Sequence, residues 1–87
     1  MKNKQNKKEL IVIIGQRIRI LREQNNKKQI EIAELLNTKQ TVYSRYELNK
    51  TILPTHHLKT LCEYYNVSPE YILGYIDEQK ELPRTEK

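Results

Sequence analysis

The sequence predicts an all-α domain of five short helices. Three observations carry this. Apolar residues recur at helical spacing in Ile14, Ile18 and Leu21, in Ile32, Ala33 and Leu36, and in Leu58, Leu61, Cys62 and Tyr65. Glycine and proline are scarce, two and three in 87 residues, which disfavours a turn-rich β fold. Asparagines stand between the apolar stripes, at Asn25-Asn26, Asn37, Asn49 and Asn66. Asparagine tolerates the left-handed conformation that closes a helix.

Taken in order, residues 1–9 hold four Lys and one Glu with no periodicity and read as a basic flexible arm. The domain proper should occupy residues 10–76. Its first helix should run from Leu10 to Gln24. The run Leu10 to Ile14 holds more apolar surface than one helical face can bury. Ile13 and Ile20 then form a second stripe outside the core, open to a dimer contact, or the run pairs as an extended strand. β-Branched residues lower helix propensity there. A second helix should span Lys28 to Leu36, and a third Lys39 to Glu47. Residues 48–54 form a loop. A fourth helix starts near Thr55 and stops at Asn66. Ser68-Pro69-Glu70 starts a fifth, with Ser as N-cap, Pro at the first helical position and an acid in the first turn. Residues 77–87 are charged, contain Pro83, and read as a flexible tail.

The third helix has a divided surface. Val42, Tyr43 and Tyr46 give it a side to seat on a core. Gln40, Thr41, Ser44 and Arg45 fall on the remaining surface. Short donors and acceptors with one forked cation are the set that reads base edges in a DNA major groove. An ordinary amphipathic surface helix has the same outline, so its neighbours decide.

Length and charge bound the function. A chain of 87 residues is one domain, with little room for a deep catalytic cleft. The net charge of +5 is shared between the arm and residues 10–76, so a polyanion partner fits. One cysteine, Cys62, cannot form an intramolecular disulfide, which suits a reducing cytoplasm. The longest apolar run is too short to span a membrane. His56, His57 and Cys62 invite a metal reading, but His57 and Cys62 do not stack well on one helix face and a fourth ligand is lacking. There is no Gly-rich phosphate loop and no acid pair at useful spacing. The expectation is no enzyme, no cofactor, no metal and no small-molecule ligand.

Gly15-Gln-Arg-Ile-Arg-Ile-Leu-Arg-Glu, Gln29-Ile-Glu-Ile-Ala-Glu-Leu-Leu-Asn-Thr and Tyr64-Tyr-Asn-Val-Ser-Pro-Glu-Tyr-Ile-Leu-Gly together resemble the Cro/repressor-type (xenobiotic-response-element) helix-turn-helix family. The resemblance covers residues 14–75. It implies a lambda-repressor-like fold, with the second and third helices as the helix-turn-helix and Lys39 to Glu47 as recognition helix. It implies that Gln40, Thr41, Ser44 and Arg45 face the groove, Arg45 on either guanine or a phosphate. Gln29, with Lys28, Lys39, Asn49 and Lys50, would lie along the phosphates. Arg22 and Glu47 match the family's buried ion pair between the first and third helices. The family often has Gly at 26, 37 and 49, where this chain has Asn. Lys27 and Lys28 stand where it prefers an apolar residue and a Ser/Thr cap, a loss of about 0.5–2 kcal/mol.

The function expected is a sequence-specific duplex-DNA-binding transcriptional regulator. Its simplest form is a repressor, a homodimer on a palindromic operator. A protein-interaction module of the same fold, such as an antitoxin or adaptor, is the alternative.

Overall fold

The computed structural model describes residues 7–83, with side chains from Val12 onward. Residues 1–6 of the expected arm, 84–87 of the expected tail, and the side chains of Leu10 and Ile11 lie outside the described residues. The described residues form five helices: α1 (Lys7–Gln24), α2 (Gln29–Leu35), α3 (Gln40–Glu47), α4 (Thr55–Tyr65) and α5 (Pro69–Leu73). α2 packs on α3, α1 lies against both α3 and α5, and α4 meets α5. Ile18, Leu21, Ile32, Tyr43, Leu61 and Ile72 are among the side chains at the centre.

α1 begins at Lys7, ahead of the expected start at Leu10, and the run 10–14 is helical, which removes the strand alternative. The helix cost of a β-branched residue is only tenths of a kcal/mol. Ile14 and Ile18 offset it by burying on the core. The second stripe is split. Ile13 is half-buried over Gly74, where an added Cβ would come within 2.7 Å of Ile13 Cγ2. Ile20 stays exposed. On the other side of α1, a Cβ at Gly15 would come within 2.8 Å of the carbonyl oxygens of Tyr46 and Glu47. Glycine at that position lets α1 and the end of α3 approach backbone to backbone.

The helix ends share one device. Asn26, Asn37, Asn49 and Asn66 are the described non-glycine residues with positive φ, between 55° and 66°. After each, the next residue donates its N–H to the carbonyl five residues back: Lys27 to Arg22, Thr38 to Ala33, Lys50 to Arg45, and Val67 to Cys62. This satisfies carbonyls that a helix end leaves open. Gly74 (φ 91°) closes α5 in the same way, with Tyr75 N–H on Glu70 O. At the start of α2, Lys28 supplies no side-chain cap. Glu31 Oε1 instead accepts from Lys28 N–H at 2.8 Å, half of a capping box. Ser68 caps α5 as its sequence predicts, accepting from Glu70 N–H.

The stretch after α5 differs from the flexible tail its composition suggests. Through Pro83 it lies against the domain. Arg17 Nη1 donates to the carbonyls of Tyr71 and Ile76, both at 2.9 Å, and its guanidinium stacks 4.4 Å from the centre of the Tyr71 ring. Ser68 N–H donates to Lys80 O at 2.7 Å, and Leu82 packs on the core. Charge composition could not show this, because each contact joins residues distant in sequence.

Candidate nucleic-acid interface

α3 presents two different surfaces. Tyr43, Tyr46 and Glu47 are buried, and Val42 is half-buried. Gln40, Thr41 and Arg45 are exposed, with Ser44 half-buried beside them. The polar face that the sequence predicts is therefore presented outward. The apolar and acidic face is the one that holds it.

Glu47 is the anchor. Its side chain is only 3% exposed, so an ionised carboxylate must be fully supplied with donors. Arg22 donates from Nε to Oε2 at 2.6 Å and from Nη2 to Oε1 at 3.1 Å, a forked pair across α1 and α3. Tyr43 donates its hydroxyl to Oε2 at 2.5 Å, one turn away on α3. Gln29 Nε2 donates to Oε1 at 3.0 Å from α2. Arg22 Nη1 also donates to Lys27 O at 2.8 Å, tying the α1–α2 connection to the same group.

The electrostatics follow. Burial pushes the Glu47 carboxyl upward, but the hydrogen bonds from Arg22, Tyr43 and Gln29 outweigh it and hold it below its usual range. Arg22 is raised, chiefly by its hydrogen bond to Glu47. The Tyr43 hydroxyl is pushed up by burial and by donating to Glu47, so it stays a donor.

Gln29 carries this order to the surface. A carboxylate only accepts, so Gln29 must turn its amide nitrogen to Glu47 and its oxygen the other way. That oxygen accepts from Gln40 Nε2 at 3.3 Å. The buried pair is thus connected, through Gln29, to the first residue of α3. Lys28 beside Gln29 and Lys39 beside Gln40 are exposed, so the N-terminal ends of α2 and α3 form one basic edge. Lys50 is exposed beyond the other end of α3. Asn49 is half-buried, and its Oδ1 is turned onto α1 at Gly15. Arg45 is exposed, and its Nε donates to Thr51 Oγ1 at 3.2 Å.

Of these links only Arg22 with Glu47 is anticipated by the sequence, and two of the others show why. Tyr43 and Glu47 are four apart on a helix, a spacing that places a hydroxyl over a carboxylate and that sequence could have flagged. Gln29 on Glu47 depends on how α2 crosses α3 and carries no local signal.

The histidines and cysteine form no comparable centre. Among the described residues no three His, Cys, Asp or Glu stand close enough to hold a metal. Cys62 is buried, and burial pushes its thiol up to about 11. His57, packed on Tyr46, is lowered by burial and by the neighbouring His56. Among the described residues no helix is long and apolar enough to cross a membrane.

The profile of a helix-turn-helix domain family matches residues 15–78. The chain belongs to that family. Its members are non-enzymatic DNA-binding regulators of the Cro/repressor type, and α2 and α3 are the helix-turn-helix. Two solved structures are similar. The P22 c2 repressor protein, solved with a synthetic operator and Tl⁺, is 25% identical with a TM-score of 0.63, over 69% of this chain and 91% of that one. A hypothetical transcription factor, NHTF, from Neisseria is 15% identical with a TM-score of 0.68, over 84% of each chain, a likeness of fold alone. None of the curated proteins searched matches the chain. The five-helix domain has the lambda-repressor-like fold of the P22 c2 repressor.

Proposed function

We propose that this protein is a transcriptional repressor that binds a palindromic operator in duplex DNA as a homodimer in the cytoplasm. The observation that carries the reading is the bond from Gln40 to Gln29 over the buried Glu47 pair. It orients a reading side chain before any DNA arrives. Gln40 retains its amide oxygen and a second N–H, the acceptor and donor that match adenine N6 and N7. Thr41 and Ser44 supply the neighbouring short donors and acceptors. Gln29, Lys28, Lys39 and Lys50 lie along the phosphates, with Asn49 closest to α1. The P22 c2 repressor, solved on an operator, supports the same use of this fold.

One recognition helix reads only a few base pairs. A dimer reads two half-sites about one helical turn, ~34 Å, apart. Selecting bound duplexes from a random pool tests this. The selected sites should show two-fold symmetry at that spacing. Gln40→Ala and Ser44→Ala should each relax preference at single base pairs, about 1–3 kcal/mol for a lost bidentate contact. A bound pool with the base composition of the input would refute sequence recognition. It would favour the protein-interaction reading, to which the exposed Leu48, Ile52 and Tyr75 lend support.

A further inference from the structure

Arg45 differs from the other described arginines. Arg17, Arg19 and Arg22 are each paired with a carboxylate, namely Asp77, Glu23 and Glu47. Arg45 is in none of the described ion pairs, and its Nε donates to a neutral hydroxyl, Thr51 Oγ1. Its charge is left for something outside the domain. The local backbone explains the contact. Asn49 turns left-handed (φ 66°) and Lys50 N–H returns to Arg45 O at 2.9 Å, which brings Thr51 alongside the Arg45 side chain.

The direction of that side chain decides what it meets. Long helical side chains ordinarily lean toward the helix N-terminus. Arg45 instead reaches forward to a residue six positions on, away from Gln40 and Thr41. Recognition helices touch base edges mainly through their N-terminal residues. With Nε held by Thr51, both terminal nitrogens remain, a fork matched to two phosphate oxygens. Lys50, exposed in the same turn, adds a second cation.

We propose that Thr51 is a positioning residue that turns Arg45 out of the base-reading set and onto a backbone phosphate at the groove edge. This rests on the DNA-binding reading above. Gln40, Thr41 and Ser44 are then left to carry sequence preference.

The test uses the full chain, the duplexes selected by the wild type, and one unrelated duplex. Arg45→Gln should weaken both duplexes and lower the slope of log affinity against log salt by about 1, one released counterion contact. It should leave the base preference at every operator position unchanged. Thr51→Val, which removes the hydroxyl at nearly constant shape, should weaken binding about two- to tenfold, the worth of one hydrogen bond. Thr51→Ser should restore it. If Arg45→Gln erases preference at one base pair and leaves the salt slope alone, Arg45 reads a base and the inference is overturned. If Thr51→Val binds like the wild type, the positioning role is overturned. If the wild type selects no sequence, the operator reading fails. The slope on the unrelated duplex still decides the phosphate contact, and an unchanged slope there refutes it.

Discussion

Replacing Glu47 by Gln should cost the domain about 3–5 kcal/mol, the range for removing one member of a buried ion pair. The size follows from the surroundings. Glu47 accepts from Arg22 Nε, Arg22 Nη2, Gln29 and Tyr43. Arg22, its side chain 13% exposed, would keep its charge and lose its counter-ion. An amide offers one oxygen where the carboxylate offered two, so at least one of the donors also loses its acceptor. In a domain of this size, 3 kcal/mol lowers the thermal midpoint by about 12–24 °C. Thermal and urea unfolding of Glu47→Gln, Arg22→Met and Arg22→Met/Glu47→Gln would measure it. The double variant should cost less than the sum of the singles, because no unpaired charge remains. The pH profile is a second readout. Glu47 binds its proton less readily folded than unfolded. Its contribution is therefore present above the ordinary carboxylate value of 4.5 and lost as pH falls through the lower folded value. Glu47→Gln should remove that part of the acid sensitivity. Single variants that each cost under about 1 kcal/mol and simply add would make the pair no better than a surface salt bridge, and would refute the reasoning.

Three further outcomes follow from neighbouring contacts. Gly15→Ala, a change that helps an open helix by about 1 kcal/mol, should here destabilise by about 1–3 kcal/mol in thermal unfolding, because the Cβ meets the carbonyls of Tyr46 and Glu47. The Tyr65 hydroxyl is buried with no protein partner among the described residues, so Tyr65→Phe should leave stability unchanged or raise it, while Tyr43→Phe should cost about 1.5–3 kcal/mol. Asn37→Ala should cost about 1–2 kcal/mol in urea unfolding by forcing a side chain without a local polar group into the left-handed region, whereas Asn37→Gly should not.

Much of this was legible in the sequence because it is local. An asparagine after an apolar stripe closes a helix through its own φ and the next N–H, so Asn26, Asn37, Asn49 and Asn66 mark four ends without reference to the rest of the fold. Ser68 caps α5 through a bond within two residues. The apolar period along α3 separates Gln40, Thr41 and Ser44 from Tyr43 and Tyr46 whatever lies beneath. Even the pairing of Arg22 with Glu47 came from resemblance, which carries the packing of other chains, and not from spacing along this one.

What remained hidden depends on how helices cross. Gln29 reads alike as a surface amide and as a link to a buried carboxylate. Only the placement of α2 on α3 sets its nitrogen on Glu47 and its oxygen on Gln40. Arg17 looks like one more exposed cation on α1, yet the fold puts two distant carbonyls within its reach and holds residues 77–83 as part of the domain. Ile13 lost its place in an open stripe because Gly74 leaves room for it. Dihedral preference and periodicity, both local, set where the helices stop, where α2 to α5 start to within a residue, and which face of α3 is polar, but not the start of α1 at Lys7. The tertiary structure alone decided which polar groups share hydrogens, because a hydrogen bond needs its partners within about 3 Å and sequence separation says nothing about that distance.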